Sequence, residues 1–456
     1  MSGLIISVSG LRGIVGETLT PDVAVRFVAA FASKMPSGPI LVGRDGRSSG
    51  AMLSQAILSA LRASGRECVD CDVIATPTLG VLVRDRNAAG AVQISASHNP
   101  PPYNGIKLFG PEGRVLDAGR GAAIRDAYFS GEAAWCSFDR IGMVHPCDDV
   151  HQAHLDKVLA TVDVTAIRTA KHRVLLDSNH GAGGILGKRL LEALACDIVM
   201  VGETPDGHFS HVPEPTAENL QNIATRVKDE NCSVGFCQDP DADRLALIDA
   251  DGRYIGEEFT VALCVQHALR KWTRAKASET DPKSDAAIVI NGATSGMSER
   301  LAADAGVQSH RSAVGEANVA DKMIATKAIY GGEGNGGPID PNVGYVRDSF
   351  VGMAQVLDLM TKTGRSLAML ADALPQLFIY KTKAEVSSDR LPKLFESLIA
   401  AHPDASADTG DGLRLAWNDK WLLVRGSNTE PIVRLIAEAE TMQEAKRLCE
   451  SAAKFL

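Results

Sequence analysis

One pattern recurs three times along this chain and strongly limits the folds that it can adopt. In each copy a short apolar strand runs into a polar loop that contains glycine, and an amphipathic helix follows. The strands are Ile40-Leu41-Val42, Val174-Leu175-Leu176 and Ile288-Val289-Ile290, and the helices lie near residues 51, 186–194 and 297–305. Strands that alternate with helices indicate βαβ units and mostly parallel sheets. Because the copies are well separated in the sequence, we predict three similar α/β domains.

The last part of the chain has a different order of elements. Its pattern predicts a strand over 379–386, a helix over 391–401, three strands over 413–439 and a helix over 443–455. A strand-rich order with two helices predicts an α+β domain on an antiparallel sheet. We therefore expect four domains, over residues 1–150, 151–257, 258–372 and 373–456. The polar segment 273–284 is expected to form an exposed loop.

The segment from Ile94 to Phe109, ISASHNPPPYNGIKLF, combines reactive side chains with a rigid backbone. Residues 89–95 predict a buried strand, and the prolines that follow exclude a helix. Ser97 therefore lies at a strand end beside His98 and close to Lys107, which suits covalent chemistry. A polar surface loop is the alternative that the adjacent serine and histidine alone would favour.

Three aspartates alternate in the segment CQDPDADRLALIDADG, at positions Asp239, Asp241 and Asp243. Extended backbone projects such residues to one side, so their carboxylates can converge on one hard cation, and Mg²⁺ is the expected ion. An EF-hand is excluded because Arg244 and Ala250 stand where its glycine and glutamate are required. A solvated acidic turn is the remaining alternative.

A glycine-rich segment over residues 329–337, IYGGEGNGG, satisfies the GxGxxG pattern of dinucleotide-binding folds. Pro338 follows at the place where such a fold needs a helix, which argues against a nucleotide site. The other interpretation is a flexible loop that brings Glu333 and Asn335 to the hydroxyls of a sugar.

Hydrogen-bond donors are concentrated in the segment VRGSNTEPIVRL, residues 424–435. Arg425, Ser427, Asn428 and Thr429 surround a glycine, which is the chemistry of a phosphate cradle. Arg434 adds a planar cationic group. A polar hairpin is the alternative.

Composition limits the partners and the location of the protein. The net charge of −9 provides no basic surplus for nucleic acid or anionic membranes, and no apolar run predicts a signal peptide or a membrane span. Nine scattered cysteines favour reduced thiols, so we expect a cytoplasmic protein, and Cys68 and Cys71 are interpreted as buried small hydrophobes. A cluster of four residues suggests either a zinc site or a solvated linker: His145, Cys147, His151 and His154.

These motifs resemble those of the α-D-phosphohexomutases and stand in that family's order along the chain. The segment 94–109 resembles the family's active-site loop, whose serine before the histidine is phosphorylated, here Ser97. DPDADR resembles the metal loop DGDGDR, with Pro240 and Ala242 in place of glycines and with Arg244 kept. Residues 425–431 resemble the phosphate-binding loop Arg-x-Ser-x-Thr-Glu-Pro.

Three weaker matches extend the resemblance. Residues 332–337 resemble the sugar-recognition loop Gly-Glu-x-Ser-Gly-His, with Asn335 for the serine and Gly337 for the histidine, so the histidine's role is not carried over. Residues 7–21 resemble the N-terminal Arg-Gly segment, which implies that Arg12 lies near the phosphoserine. Residues 311–318, RSAVGEAN, resemble a loop of the third domain to which we assign no role.

The resemblance implies four domains around a central cleft and an isomerase that acts as an intramolecular phosphotransferase. Phosphorylated Ser97 and Mg²⁺, bound with the three aspartates, would interconvert hexose 6-phosphate and hexose 1-phosphate through a hexose 1,6-bisphosphate, which also serves as activator. Lys107, with Arg12 and His98, is the candidate for proton transfer and charge stabilisation, and a lysine in this role needs its pKa lowered by neighbours. Arg244 joins the substrate-binding residues.

Glucosamine phosphate is the favoured substrate, since cell-wall synthesis requires such a mutase in nearly every bacterium. Mannose and glucose phosphates are the alternatives. Two other classes stay open: a phosphatase that hydrolyses phosphorylated Ser97, and a non-catalytic sugar-phosphate sensor, which the intact set of serine and aspartates argues against. We expect a monomer or a homodimer.

Overall fold

The computed structural model describes residues 3–7, 10–278, 286–426 and 432–456. Four sheets form within these residues, with seven, four, four and five strands. The first three are mixed and the last is antiparallel, which confirms the predicted α/β units followed by an α+β unit. The boundaries at residues 150, 257 and 372 stay predictions.

The first sheet and its helices occupy residues 5–146. Its strands are β1 Ile5–Ser7, β2 Gly10–Ile14, β3 Ile40–Arg44, β4 Cys68–Val73, β5 Gly90–Ile94, β6 Tyr103–Phe109 and β7 Val144–Pro146. Its helices are α1 Pro21–Lys34, α2 Gly50–Ala63, α3 Thr76–Asp85 and α4 Ala118–Ser130. The strand order is β1-β2-β6-β5-β3-β4-β7. Local signals set the helix ends: α1 begins with proline, and α4 has Asp117 as its N-cap and Gly131, at φ 72°, after its last residue.

The second and third sheets have the same topology. Their strands are β8 Arg173–Asp177, β9 Asp197–Val201, β10 Val234–Gln238 and β11 Leu245–Asp249, then β12 Ala287–Asn291, β13 Gln308–Ser312, β14 Tyr330–Glu333 and β15 Gly337–Ile339. The orders β11-β10-β8-β9 and β15-β14-β12-β13 each place three parallel strands beside one antiparallel edge strand. In the first sheet, β6-β5-β3-β4 repeats this arrangement. The threefold repeat in the sequence therefore corresponds to one repeated four-strand unit.

Nine helices among the described residues belong to this middle part of the chain. They are α5 Gln152–Leu159, α6 Val164–Ala170, α7 Gly183–Ala193, α8 Gln221–Asp229, α9 Glu257–Ser278, α10 Met297–Asp304, α11 Glu316–Thr326, α12 Ser349–Thr363 and α13 Leu367–Asp372. Residues 273–278, predicted to be loop, belong to α9, and residues 279–285 lie outside the described ranges. Helix α12 is buried on all sides over Ser349–Met360, and apolar residues of the second and third units form one continuous core around it.

The fifth strand of the last sheet was not expected from the sequence. The strands are β16 Phe378–Glu385, β17 Ser406–Asp408, β18 Leu413–Ala416, β19 Trp421–Gly426 and β20 Ile432–Ala439, and the helices are α14 Leu391–Ala401 and α15 Met442–Ala453. The sheet order is β16-β20-β19-β18-β17, and the short, exposed β17 is the addition. Within the described residues, no helix has the length and apolarity required to span a membrane.

Candidate active site

Three predicted site segments occupy the same position in the three repeated units. Each connects the third parallel strand to the antiparallel edge strand, between β5 and β6, β10 and β11, and β14 and β15. The carboxyl ends of parallel strands are where α/β proteins bind ligands. The repeated topology therefore brings the Ser97 loop, the aspartate loop and the Glu333 loop toward one site.

Ser97 is buried and has an unusual backbone conformation. Its φ is 50°, a left-handed value that a non-glycine residue adopts at an energetic cost and that is concentrated at functional sites. The Ser97 Oγ donates to Asp239 Oδ2 at 2.6 Å and lies 3.2 Å from Nδ1 of His98. The serine of the first unit thus meets the predicted metal loop of the second unit.

The backbone around Ser97 is held by Arg47, which the sequence analysis did not identify. This buried guanidinium donates to the carbonyl oxygens of Ser97 and Asn99, each at 2.6 Å, and to those of Pro100 and Tyr103 at 3.0 and 3.1 Å. Because four carbonyls converge on one cation, the loop has a defined shape without regular structure. The available signal was the position of Arg47 in GRDGRSSG, directly after a parallel strand.

Asp239, Asp241 and Asp243 lie together in the turn between two antiparallel strands, and all three are buried. One oxygen from each lies within 4.8 Å of the others, and this is the one group with metal-ligand geometry among the residues that the structure describes. The Oδ1 atoms of Asp241 and Asp243 are buried without a hydrogen-bond partner. Buried carboxylate oxygens of this kind suit a hard cation such as Mg²⁺, so the donor set fits the predicted ion.

Two cations balance the charge of the aspartates. Lys107 Nζ contacts Asp241 Oδ2 at 2.6 Å and Asp243 Oδ2 at 3.0 Å, and Arg347 donates to Asp243 Oδ2 at 2.6 Å. Burial acts to raise the pKa of Asp243, but these cations outweigh it and hold that pKa below its usual range. The charge of Asp239 is less well balanced by cations, since burial and the two neighbouring carboxylates raise the pKa of Asp239.

Lys107 differs from the expectation for a general base. Burial acts to lower its pKa, but Asp241 and Asp243 outweigh burial and raise the pKa above its ordinary value. This direction is the opposite of the lowering that proton abstraction by the lysine requires. Lys107 is therefore a protonated cation beside the carboxylates.

The other predicted groups of the serine loop lie beside it. Arg12 donates to Asn99 Oδ1 at 2.6 Å, and burial lowers the pKa of Arg12. Burial, Arg244 and Arg12 lower the pKa of His98 to about 2, so its imidazole is neutral. The Arg244 backbone donates to Asp239 Oδ1 at 3.2 Å, and the side chain of Arg244 is mostly buried.

The GxGxxG segment forms a tight hairpin, with Glu333 opposite Gly337 in antiparallel register. Strand β15 follows directly where a dinucleotide site requires a helix, so the Rossmann alternative is excluded. Glu333 Oε1 accepts from Asn291 Nδ2 at 2.7 Å and from the Gly315 backbone at 2.9 Å, and its Oε2 accepts from Arg347 at 2.9 Å. Glu333 is therefore fixed in place where the loop faces a cavity.

Asn335 and Glu316 complete the surroundings of Arg347. When the Asn335 amide is oriented so that its nitrogen donates to the Glu333 carbonyl oxygen at 3.2 Å, its oxygen accepts from Arg347 at 2.7 Å. Glu316, from the segment RSAVGEAN, lies 3.5 Å from the Arg347 Nε, and burial raises the pKa of Glu316 to about 7. Arg347 thus connects the aspartate loop, the sugar-loop candidate and the RSAVGEAN loop, and no motif in the sequence had identified it.

A cavity of about 550 Å³ lies between the third and fourth units. Its lining includes Glu258, Glu333, Asn335, Lys381 and Arg434. Burial raises the pKa of Glu258 to about 7, and Lys381 lies 3.6 Å from its carboxylate. The cavity therefore offers both anionic and cationic groups to a ligand.

Three cations from adjacent strands form a row on one face of the last sheet. Lys383 is opposite Arg434, which is opposite Arg425. Arg425 Nε donates to Asp411 Oδ1 at 2.7 Å, and Asp411 also accepts from the Val314 backbone of the third unit. Ser427, Asn428 and Thr429 lie outside the described residues. We call Lys383, Arg434 and Arg425 the cation row.

The predicted histidine and cysteine cluster does not form a zinc site. His145 contacts Glu67 at 2.9 Å, whereas His154 contacts Asp348 at 2.7 Å and Thr78 at 2.9 Å. Cys147 lies 3.8 Å from Arg86. His145, Cys147 and His154 thus have separate partners, and among the described residues no group with the spacing of metal ligands contains a member of this cluster.

Comparison with known proteins gives matches over nearly the full length. Models of phosphoglucomutase/phosphomannomutase α/β/α domains I, II and III and of the C-terminal domain match residues 4–135, 152–252, 258–378 and 382–455. A phosphoglucomutase/phosphomannomutase of Thermococcus kodakarensis is 34% identical over 100% of this chain and 98% of its own. A phosphoglucosamine/phosphogalactosamine mutase of Sulfurisphaera tokodaii is 31% identical over 100% of this chain and 99% of its own. The crystal structure of a phosphoglucomutase/phosphomannomutase family protein from Burkholderia thailandensis matches with a TM-score of 0.84 and 26% identity, covering 99% of this chain and 96% of that one.

Proposed function

This chain belongs to the phosphoglucomutase/phosphomannomutase family and is a phosphohexomutase, and we propose that it moves a phosphoryl group between O1 and O6 of a hexose through phosphorylated Ser97. The contact between Ser97 Oγ and Asp239 at 2.6 Å carries this proposal. In the first half-reaction the bond from phosphorus to the serine oxygen breaks, a bond from phosphorus to the oxygen of the free sugar hydroxyl forms, and in net the proton of that hydroxyl passes to the serine oxygen. In the second half-reaction the other phosphate of the 1,6-bisphosphate returns to Ser97, so the enzyme is regenerated.

Asp239, Asp241 and Asp243, together with the phosphate on Ser97, are the groups that would hold Mg²⁺. When bound, the ion supplies positive charge that offsets the charge of the phosphoryl oxygens. Lys107 and Arg12 add positive charge on the protein side. The imidazole of His98 is neutral, and its Nδ1, 3.2 Å from the serine oxygen, is placed to donate a hydrogen bond to that oxygen, because the proton of Ser97 goes to Asp239.

The distal part of the substrate is assigned to the cavity between the third and fourth units. Glu333 and Asn335 face the sugar hydroxyls, and the cation row holds the phosphate that is not reacting. This assignment is supported by the position of Arg434 in the cavity lining together with both sugar-loop residues. A clamp of this kind must hold either phosphate, because the bisphosphate turns around between the half-reactions.

We propose glucosamine phosphate as the preferred substrate, with glucose and mannose phosphates as alternatives. Two of the residues that line the cavity, Glu258 and Glu333, are carboxylates that suit an ammonium group on the sugar, whereas the cations Lys381, Lys383 and Arg434 in the same lining suit its phosphate. The name of the Sulfurisphaera tokodaii relative agrees with an amino sugar, whereas that of the Thermococcus kodakarensis relative refers to glucose and mannose. Hexose 1,6-bisphosphate is proposed as the activator that phosphorylates Ser97.

Turnover of glucosamine, glucose and mannose 6-phosphates with Mg²⁺ and the matching bisphosphate tests the proposal, in wild type and in Ser97→Ala. We expect wild type to form the 1-phosphate and Ser97→Ala to form none, whereas the control Ser59→Ala, on the exposed face of α2, keeps full activity. Mutase activity of Ser97→Ala would exclude the phosphoserine route. Release of inorganic phosphate without 1-phosphate would indicate a phosphatase, and binding without turnover would indicate a sensor.

A further inference from the structure

Two cysteines that are distant in the sequence meet at the edge of the first sheet. Strands β4 and β7 are parallel, and Asp70 is opposite Pro146 at the last position of their register. The next residues along the two strands are Cys71 and Cys147, and the Cys147 backbone donates to the carbonyl of Asp70 at 3.0 Å. The side chains of Cys71 and Cys147 pack in the same core cluster on one face of the sheet, and neighbouring strands lie about 4.8 Å apart. This spacing lies within the range that a disulfide spans.

The surroundings of the two thiols differ in a way that makes Cys147 the reactive one. Cys147 is half-buried, and the guanidinium of Arg86 lies 3.8 Å from its sulfur. A hydrogen bond from Cys71 and the charge of Arg86 lower the pKa of Cys147 to about 7, although burial and the nearby Asp148 and Asp149 oppose this. Cys71 is buried, and the same hydrogen bond and burial raise its pKa.

We propose that Cys147 and Cys71 form an oxidation site, in which Cys147 reacts with a hydroperoxide and Cys71 then closes a disulfide with it. Cys68, the other cysteine of the CxxC motif, is not placed to pair with Cys71. Cys68 packs in the core cluster on one face of the sheet, whereas Cys71 packs on the other, where Cys147 contacts the same cluster. The partner of Cys71 therefore comes from the segment that enters α5.

The chemistry balances with one hydroperoxide for each disulfide. The Cys147 thiolate attacks the peroxide oxygen, the O–O bond breaks, and Cys147 becomes a sulfenic acid while the departing oxygen leaves as an alcohol or water after taking a proton. The sulfur of Cys71 then attacks the sulfenic sulfur, its proton leaves with the hydroxyl, and water is released. Two thiols are oxidised and one peroxide is reduced. A thiol reductant reverses the change.

Wild-type protein provides the first test. With a pKa near 7, about half of the Cys147 thiols are ionised at neutral pH, which gives about fivefold faster reaction than an ordinary thiol after allowance for the weaker nucleophile. Trace labelling of the folded protein with iodoacetamide, followed by peptide mass spectrometry, compares Cys147 with the half-buried Cys136 and Cys196. Reaction of Cys147 that is no faster than either reference would overturn the proposal.

Hydrogen peroxide provides the second test, with non-reducing peptide mapping as the readout. Wild type is expected to yield a peptide that links Cys71 to Cys147, and the control Cys68→Ser is expected to yield the same one. Cys147→Ser yields none, and Cys71→Ser accumulates sulfenic acid at Cys147, which is detected with dimedone. Linkage of Cys71 to Cys68, or no linkage in wild type, contradicts the proposal.

Discussion

A Cβ atom on Gly337 would lie 2.3 Å from Cδ of Arg347, so the Arg347 side chain occupies the space where a side chain at position 337 would begin. From this place its guanidinium reaches both Asp243 and Glu333. The Arg347 side chain therefore fills the space beside Gly337, and this one buried cation connects two site loops.

Gly337→Ala is therefore expected to displace Arg347 and to lower kcat/KM by at least about tenfold, together with a loss of about 1–3 kcal/mol in the free energy of unfolding. Gly292→Ala is the matched control, because a Cβ there would lie 3.7 Å from its nearest neighbour, the carbonyl oxygen of Ser312. Steady-state kinetics and urea denaturation measure both effects. Wild-type activity in Gly337→Ala would show that Arg347 can move without consequence.

Local motifs were sufficient to predict the reactive loops. Ser97 and the three aspartates each stand in a short segment whose residue types and spacing indicate the chemistry of the site. The strands that precede these segments are predicted by their runs of apolar residues. The structure places Ser97 and Asp239 in contact because both segments leave the same edge of equivalent strands. The repeat in the sequence predicted those strands.

The residues that hold the loops together could not be predicted in this way. Arg347 and Lys383 stand in segments without a motif, and the polar loop that contains Arg47 does not indicate its partners. Each of the three lies beside groups that are distant along the chain. Their partners are determined by the packing between units and by the register of the strands, and neither can be predicted from a single sequence. The exposed β17 strand was missed for a related reason, since its three residues carry no alternating apolar pattern.

Arg347→Met is expected to destabilise the protein by about 3–5 kcal/mol, because it leaves buried carboxylates without their cation. Arg347 contacts Asp243, Glu333 and Glu316, all of which are buried. The exposed Arg365→Met is the control, and urea denaturation at neutral pH is the measurement. A difference below about 1 kcal/mol between the two variants would mean that the three carboxylates find other partners.

Removal of divalent ions with EDTA is expected to abolish turnover, and added Mg²⁺ is expected to restore it. Asp241→Asn removes one charge from the set and should raise the Mg²⁺ concentration for half-maximal activity by at least about tenfold. Asp251→Asn, exposed in the turn after β11, is the control. Activity that survives EDTA in wild type would contradict a role for the aspartates as metal ligands.

Arg434→Ala is expected to raise the KM for the sugar phosphate by about tenfold with a smaller change in kcat, because the cation row binds the phosphate that is not reacting. Lys383→Ala, its neighbour across the strands, should act in the same direction. Lys393→Ala, exposed on α14, is the control. An effect on kcat alone would instead place Arg434 near the transferred phosphoryl group.

The buried carboxyl of Glu258 is expected to make stability depend on pH. Its pKa is raised from 4.5 to about 7 by burial, against the opposing charge of Lys381. Because the folded state holds the proton more tightly than the unfolded state, this contribution is complete below about pH 4.5 and is lost as the pH rises to about 7. The free energy of unfolding should therefore fall across this window, by up to about 1.4 kcal/mol per pH unit from this residue.

Glu258→Gln is expected to reduce the slope of that part of the profile, to which Glu257 and Glu316 also contribute because burial raises their pKa values to about 7, whereas the exposed Glu218→Gln should leave the slope unchanged. Urea denaturation of wild type and both variants, between about pH 5 and about pH 7, gives the slopes. The comparison is made without Mg²⁺, so that ion binding by the aspartates does not add its own pH dependence. Equal slopes in wild type and Glu258→Gln would mean that Glu258 is ionised throughout, with Lys381 compensating fully for its burial.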